Sequence, residues 1–370
     1  DYLREPSFTD KSLSERKILR ESLSVKNILS NHNLISNTTL HSSSSGEVLV
    51  YVTPWNKKGY SLSKMIAAKL DWIVPVWFRI IKVKGVLEVA GKQDVDESWL
   101  NDLQKLSVST CEKSSSNKKL EDIDDPQVCN SRNQTNLKKL KVVPRVVLET
   151  SVSSDSEKIQ IIRLLLDLQT QYHFHGFTLE VSLQDWTLCV DLLRLLKEHC
   201  SSCYIIFVLP PMILSVADTQ TRRALLGLSV WVERFSVMTY DKHQMTSLPA
   251  APLSWAREVM TGLGRGEAVQ GETRSLQRKL LLGIPLYGWR GREAVTGDDM
   301  IVWLATGGVS VLWDEEAREH FFTNADETLK AYYPTPLFVK HRLDLAKDLG
   351  VAGVAFWELG QTMAMVLELL

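Results

Sequence analysis

The sequence is short of several features that define common protein classes. Its 370 residues carry 43 Lys and Arg against 44 Asp and Glu, and the basic residues form no stripe alternating with aromatics, so nucleic-acid binding is not expected. The longest apolar run, at residues 204–214, is interrupted by Pro210 and Pro211 and is shorter than the roughly 18 residues that cross a bilayer, so no membrane span is expected. The eight His residues show no metal-ligand spacing, and His173 and His175 lack a third ligand. We therefore expect neither a metal nor a cofactor.

Cysteine is also scarce, with five residues in the chain. Cys111 and Cys129 lie in a polar tract that would accommodate a disulfide. The Cys200-Ser-Ser-Cys203 motif joins a predicted helix to a buried strand and lacks a partner motif for a metal. We interpret this second pair as structural rather than as redox-active.

Two N-x-Thr sequons, at Asn37 and Asn133, lie in polar, Ser-rich segments where a glycan can be attached. The chain also begins at Asp1 rather than at Met, which favours the removal of an N-terminal segment. Together these features predict entry into the secretory pathway.

The stretch at residues 174–182, FHGFTLEVS, alternates between two faces in the way that a β-strand requires. Phe177 and Leu179 would meet neighbouring helices, whereas Glu180 and Ser182 lie on the opposite face. In a closed parallel barrel that opposite face is the interior, and its residues at the carboxyl end of the strand point into the ligand site. Glu180 and Ser182 are therefore the first functional candidates.

Strand-like apolar runs alternate with helical patterns along the chain. The runs lie at residues 48–55, 70–81, 142–150, 174–181, 204–210, 235–241, 280–289 and 351–358. The helical patterns lie at residues 61–69, 97–106, 157–172, 185–199, 220–228, 252–263 and 335–349. This rhythm predicts an α/β fold, a (β/α)8 TIM barrel over residues 47–370.

Three segments depart from this rhythm. Residues 1–46 are rich in Ser, Asn and charge, and predict a polar N-terminal extension that lies along the barrel. Residues 107–139 are polar throughout and predict a long, disordered surface loop. Residues 291–333 exceed a simple crossover and contain two short apolar runs, which predict a small β insertion after the seventh strand beside the barrel mouth.

The predicted strand ends carry aromatic side chains with carboxylates among them. They are Trp55, Trp77, Glu149, Glu180, Tyr240, Asp241, Tyr287, Trp289, Trp357 and Glu358. Aromatic faces stack on the apolar faces of sugar rings, and carboxylates accept hydrogen bonds from hydroxyl and amide groups. The set predicts a saccharide site. The alternative is that Trp77, Trp289 or Trp357 packs within the barrel and against its helices.

Several segments resemble the glycoside hydrolases of family 18, the chitinases and chitinase-like lectins, and the resemblance extends from about Val48 to the C-terminus. Met238-Thr239-Tyr240-Asp241 is similar to that family's Met-x-Tyr-Asp motif on the sixth strand. Residues 283–288, GIPLYG, are similar to its seventh strand, and Trp357 falls where the family has the tryptophan at the floor of the sugar site. The resemblance implies a TIM barrel that binds an amino-sugar oligosaccharide.

Other segments, at residues 51–56, 71–77, 251–255 and 356–361, are similar to the chitinase-like members of this family that interact with stabilin-type scavenger receptors. This similarity implies a scavenger-receptor partner. It also implies secretion or sorting to the endosomal or lysosomal lumen.

The fourth strand departs from the family pattern. Family 18 enzymes carry Asp-Gly-x-Asp-x-Asp-x-Glu there, whose last Glu is the general acid while an Asp assists the substrate's acetamido group. This chain has the degenerate motif His175, Thr178, Glu180 and Ser182 at those four positions. A serine hydroxyl is too weak an acid for that role, and Glu180 lies roughly 7 Å further down the strand. We expect no catalytic residues and no hydrolysis by this mechanism.

Three functions remain open. The degenerate motif together with the aromatic mouth favours a catalytically inactive, lectin-like protein for chito-oligosaccharides or related amino-sugar glycans, which fits innate recognition of microbial saccharides. A second alternative is a weakly active glycosidase that uses Glu149, Asp241 or Glu358 as a substitute carboxylate. A third is a receptor-interacting scaffold without sugar binding.

Overall fold

The structure is a computed structural model that describes residues 5–37, 46–113, 140–182, 186–215, 218–243, 248–262 and 270–370, with the backbone alone at 107–113 and 270. The strands are β1 (Ser7–Thr9), β2 (Leu34–Ser36), β3 (Glu47–Val52), β4 (Trp72–Val83), β5 (Val86–Ala90), β6 (Lys141–Val142), β7 (Arg145–Leu148), β8 (Gly176–Glu180), β9 (Tyr204–Leu209), β10 (Arg234–Val237), β11 (Leu280–Pro285), β12 (Gly288–Arg290), β13 (Glu293–Val295), β14 (Val309–Asp314), β15 (Glu319–Asn324), β16 (Lys330–Tyr332) and β17 (Gly353–Trp357). The α-helices are α1 (Val25–Asn31), α2 (Lys57–Met65), α3 (Glu97–Lys113), α4 (Asp155–Tyr172), α5 (Trp186–His199), α6 (Pro211–Ser215), α7 (Thr219–Ser229), α8 (Leu253–Thr261), α9 (Gln270–Gln277), α10 (Gly297–Ala305) and α11 (Pro336–Leu349). Short 3-10 helices lie at Ala67–Lys69, Lys92–Asp94, Leu359–Gln361 and Ala364–Leu369.

Eight parallel strands close into a barrel in the order β3, β4, β7, β8, β9, β10, β11 and β17, with β17 pairing back onto β3. The two-residue period of a strand sorts its side chains between two cores. On β3, Val48 and Val50 pack against the surrounding helices, whereas Leu49 and Tyr51 face the barrel interior. The closed barrel with its ring of helices confirms the predicted (β/α)8 TIM barrel.

Helix α4 shows how the sequence builds the crossover that leads into β8. Its N-cap Ser154 accepts a hydrogen bond from the backbone N–H of Glu157 through its side chain. Its apolar face, which includes Leu165 and Leu168, is buried against the barrel. The helix ends at His173, whose φ of 57° turns the chain back toward β8.

The β insertion lies between β11 and β17, as the sequence predicted. It forms a five-stranded antiparallel sheet in the order β13, β12, β16, β15 and β14, and the two predicted apolar runs form the β14–β15 pair. One boundary differs from the prediction at residues 280–289. Barrel strand β11 ends at Pro285, and Trp289 belongs to β12 of the insertion. The chain leaves the barrel earlier than its continuous apolar run indicates.

The described part of the N-terminal extension packs on the insertion and on the C-terminal turn. Ile18 and Ile28 are buried in a cluster that includes Met300 of α10. Arg16 forms a buried ion pair with Glu368, whose Oε1 also accepts a hydrogen bond from the backbone N–H of Ser36 at 3.0 Å. This contact ties the two ends of the described chain together.

Several other predictions fall in or near the undescribed ranges. Helix α3 continues to Lys113, past its predicted end at residue 106, while the rest of the predicted loop, with Cys129 and Asn133, lies outside the described residues. The disulfide in the structure joins Cys200 to Cys203 at the end of α5. Asn37 is exposed, and its side chain donates a hydrogen bond to Asp10. In the described ranges, we find no helix whose length and apolar character would let it cross a bilayer.

Candidate functional site

A cavity of about 200 Å³ opens at the end of the barrel where the strands terminate. Its lining comprises Tyr51, Arg145, Glu180, Val208, Met238, Tyr240, Asp241, Tyr287 and Trp357. Half of the predicted saccharide-binding set therefore meets here, namely Glu180, Tyr240, Asp241, Tyr287 and Trp357. The position agrees with the rule that TIM barrels bind ligands at the carboxyl ends of their strands.

Two aromatic rings form the floor of this cavity. Trp357, the last residue of β17, is half-buried, and its ring centroid lies 5.0 Å from that of Tyr51 on the neighbouring strand β3. The Tyr51 hydroxyl donates a hydrogen bond to Ser236 Oγ at 2.9 Å, and burial raises the pKa of Tyr51 to about 12. The phenol is thus neutral at physiological pH. The floor can offer an apolar ring face to a ligand.

An ion pair crosses one side of the cavity. Arg145 of β7 donates two hydrogen bonds to Oε2 of Glu180, from Nε at 2.8 Å and from Nη2 at 2.6 Å. The two side chains are 21% and 30% exposed. The Cζ of Arg145 also lies 5.6 Å from the ring centroid of Trp357, within the range of a cation–π contact. One guanidinium thus contacts both the retained carboxylate and the floor tryptophan.

Arg145 was not among the residues that the sequence predicted. The prediction collected residues at the carboxyl ends of strands, whereas Arg145 is the first residue of β7 and pairs in register with Thr178. Its long side chain extends along the interior as far as Glu180. The sequence did contain one indication, which is a single Arg within an apolar run. A cation buried in such a strand needs an anionic partner, so this Arg indicates a nearby carboxylate.

Asp241 lies on another wall and is held by aromatic donors. Trp289 Nε1 donates a hydrogen bond to Asp241 Oδ1 at 3.0 Å. Burial, reinforced by the nearby Asp241 carboxylate, raises the pKa of Tyr287 well above its usual value. Burial likewise raises the pKa of Tyr240. The walls therefore present neutral phenols beside a carboxylate.

The structure leaves three of the predicted tryptophans outside the cavity lining, and of these Trp289 contacts a lining residue through its hydrogen bond to Asp241. Trp77 is 3% exposed, donates a hydrogen bond to the hydroxyl of Tyr60 at 2.7 Å, and packs edge-on against Trp99. It belongs to the core between the barrel and its helices. Trp55 is 69% exposed after β3 and does not line the cavity.

Two predicted carboxylates also lie elsewhere. Glu149 accepts a hydrogen bond from Arg79 at 3.2 Å, and its side chain is 40% exposed. Glu358 is buried at 1% exposure and caps the 3-10 helix that follows it, accepting hydrogen bonds from Asn56 and from the backbone N–H of Gly360. Burial raises the pKa of Glu358 to about 7. Its contacts support the turn after β17 rather than the cavity.

The degenerate motif on the fourth barrel strand is spread along β8. His175 accepts a hydrogen bond from the backbone N–H of Val142, and the buried Thr178 donates to the carbonyl of Val143 at 2.9 Å. Ser182 is exposed and lies two residues beyond the end of β8. Of the four motif positions, Glu180 alone lines the cavity.

The cavity therefore combines stacking surface with hydrogen-bonding groups. Its lining includes one guanidinium, two carboxyl groups, three phenols and an indole. Apolar rings can contact one side of a pyranose while phenol and carboxylate groups bind its hydroxyl or amide substituents. Across the described ranges, no three His, Cys, Asp or Glu side chains cluster as a metal site would need.

Comparisons with known proteins agree with this architecture. Residues 47–362 match the profile of the glycosyl hydrolases family 18. A class V chitinase from Pseudomonas fluorescens is similar in fold, with a TM-score of 0.64 at 15% identity over 88% of this chain and 98% of the other. The Bacillus cereus spore cortex-lytic enzyme SleL has a TM-score of 0.64 at 14% identity over 89% and 74%. A mutant chitinase from Cycas revoluta, crystallised with (GlcNAc)4, has a TM-score of 0.62 at 14% identity over 87% and 97%. With most of its length matched and the barrel closed in the same way, the chain belongs to the glycosyl hydrolases of family 18.

Proposed function

We propose that this chain is a catalytically inactive, lectin-like member of family 18 that binds chito-oligosaccharides or related amino-sugar glycans at the barrel mouth. One observation carries the proposal. The aromatic cavity is present, while the position of the family's general acid is Ser182, exposed beyond the end of β8. A site that keeps stacking surface and lacks a proton donor suits binding without cleavage.

The remaining carboxylates support the loss of hydrolysis. Glycosidases need a proton donor for the leaving oxygen together with a group that attacks or assists attack at the anomeric carbon. Glu180 and Asp241 are the carboxylates in the cavity lining, and both already accept hydrogen bonds, from Arg145 and Trp289 respectively. Each of them therefore already acts as a hydrogen-bond acceptor in this arrangement, through Oε2 of Glu180 and Oδ1 of Asp241.

The floor and walls support a sugar as the ligand. In the binding arrangement we propose, a pyranose ring lies on Trp357, and Tyr240 with Asp241 binds its N-acetyl or hydroxyl groups. The Cycas revoluta chitinase crystallised with (GlcNAc)4 shares the fold, which makes an N-acetylglucosamine oligomer the first ligand to test.

We also propose a stabilin-type scavenger receptor as partner, and secretion or delivery to the endosomal or lysosomal lumen. These proposals rest on the similar segments at residues 51–56, 71–77, 251–255 and 356–361 and on the exposed sequon residue Asn37. Surface plasmon resonance with purified receptor ectodomain tests the partner. Glycosidase-sensitive migration of the protein expressed in mammalian cells tests the route, and absence of both effects would remove these two proposals.

The decisive experiment is calorimetric titration of the purified chain with chitotetraose, with the same samples assayed for reducing ends over many hours. Binding without cleavage is the expected result. Cleavage would refute inactivity and direct attention to Asp241. Neither heat nor cleavage would instead favour a receptor-interacting scaffold without sugar binding.

A further inference from the structure

Arg145 lies over the ring of Trp357, on which the proposed sugar would stack. Both Arg145 and Trp357 line the same cavity, and the guanidinium Cζ is 5.6 Å from the centroid of the indole ring. A guanidinium at this distance uses the aromatic face for its own cation–π contact. A pyranose that stacks on Trp357 needs that same face. The two cannot share it at one time.

Glu180 holds the guanidinium in this position. The two hydrogen bonds from Nε and Nη2 end on one oxygen, Oε2, at 2.8 and 2.6 Å. Glu180 lies at the end of β8, next to β7, so its backbone is fixed by the barrel. Charge-assisted hydrogen bonds from Arg are directional, and they align the planar guanidinium as well as attract it.

The volume of the cavity also indicates that the Arg145 side chain restricts access to Trp357. The cavity holds about 200 Å³, whereas typical ligand pockets have volumes of roughly 300–1,000 Å³. The Arg145 side chain occupies part of the barrel mouth beside Trp357. A side chain that is 21% exposed already reaches solvent, so it has a way out of the cavity. Its displacement would enlarge the site without any movement of the barrel strands.

We propose that Arg145 limits the affinity of this site as an internal competitor for Trp357, so that a sugar ring binds the floor only when the guanidinium moves off the indole. The proposal rests on the proposed function, because it names which residue limits that binding. The apparent dissociation constant then equals the intrinsic one divided by the fraction of molecules with the floor uncovered. Removal of Arg145 should therefore tighten binding, which is the opposite of what removal of a ligand-contacting residue does.

The test measures chitotetraose affinity by calorimetry for the wild-type chain, Arg145→Ala and a matched control, Arg194→Ala. Arg194 ion-pairs with Glu198 on the surface of α5, away from the cavity lining. Arg145→Ala should bind about tenfold more tightly, equivalent to about 1.4 kcal/mol, and the control should match the wild type. Because Arg145→Ala leaves Glu180 without its partner, the double variant Arg145→Ala with Glu180→Gln removes the guanidinium and the unpaired charge together. It should also bind more tightly than the wild type.

The outcomes separate the two proposals. If the wild type binds and both cavity variants bind equally or more weakly, Arg145 is not a competitor while sugar binding stands. If the cavity variants bind and the wild type does not, the competition is confirmed and sugar binding by the natural chain fails. If neither binds while circular dichroism shows intact folds, both proposals fail.

Discussion

Trp357→Ala tests the floor of the cavity and, in combination with Arg145→Ala, tests how the two residues act on each other. A stacked aromatic side chain at the centre of a binding site contributes about 1–3 kcal/mol, so the single Trp357 variant should weaken chitotetraose binding by roughly 5- to 150-fold. The half-buried ring also contacts Tyr51, so some loss of stability is expected. Trp357→Phe, which keeps an aromatic face, should retain more of the affinity.

The double-mutant cycle of Trp357→Ala and Arg145→Ala predicts that their effects on the binding free energy are not additive. If Arg145 acts through its contact with Trp357, the roughly tenfold gain from Arg145→Ala should disappear once the indole is gone. The double variant Trp357→Ala with Arg145→Ala should then bind chitotetraose with the affinity of Trp357→Ala alone. The coupling free energy between the two sites should be about 1.4 kcal/mol, which is the gain expected from Arg145→Ala in the wild-type background.

The assay is calorimetric titration with chitotetraose of the wild type, the two Ala variants and their double variant at one pH and salt concentration. Thermal melts verify that each chain is folded. Additive effects, within about 0.5 kcal/mol, would refute the reasoning, because Arg145 would then influence the ligand independently of the floor. An unchanged affinity for Trp357→Ala with an intact fold would place the sugar elsewhere, for example along the exposed Trp55.

Three further outcomes are expected. Ser182→Glu should leave reducing-end release at background, because His175 and Thr178 occupy two of the motif's three other acidic positions and residue 182 is exposed beyond β8; release above the wild type would contradict this. Arg342→Met should lower the free energy of unfolding in urea by about 3–5 kcal/mol, since it leaves Glu319, its ion-pair partner at 3.3 Å, buried and unpaired. The matched surface variant Arg257→Ala should cost about 0–1 kcal/mol, and an equal loss would argue against burial as the cause. Burial raises the pKa of Glu358 to about 7, so the folded chain favours the protonated carboxyl group. The contribution of Glu358 to stability is therefore present at low pH and is lost as the pH rises through about 7. Glu358→Gln should lessen that pH dependence in thermal melts without abolishing it, because burial raises the pKa of Glu319 to about 7 as well; an unaltered slope would contradict the assignment.

The barrel was predictable because each of its strands is a short apolar run followed by a helical pattern, and parallel strands in a closed barrel need that order. The end of the seventh strand was not predictable from the sequence. Residues 280–289 form a continuous apolar run, so the transfer of Trp289 from the barrel to the insertion sheet leaves no mark in hydrophobicity.

Strand parity explains which site residues the sequence placed well. On β4, Trp72 and Val76 face the interior, so Trp77 must point to the helices, where it is buried. On β17, Trp357 shares the interior face with Ala355, whereas Glu358 follows the end of the strand and caps the next turn. Parity applied strictly would have separated Trp77 from the cavity residues before the fold was known.

Parity fails where the strand has ended. Tyr240 and Asp241 are adjacent, yet both line the cavity, because β10 ends at Val237 and Asp241 adopts a φ of 60°. Left-handed backbone of this kind is tolerated by Asp more readily than by most residues, but a sequence pattern does not reveal it. The same limit applies to Arg145, whose contacts depend on side-chain length rather than on its position at a strand end.

The position of Ser182 allows its side chain to vary without effect on the barrel. The residue lies beyond the last paired position of β8 and is exposed, so its identity affects neither strand pairing nor core packing. Glu180 is different, because a half-buried carboxylate needs a hydrogen-bonding or cationic partner. Arg145 supplies that partner, and the same guanidinium then contacts Trp357. In the coupling that we propose, the residue that stabilises the Glu180 carboxylate is also the one that restricts access to Trp357.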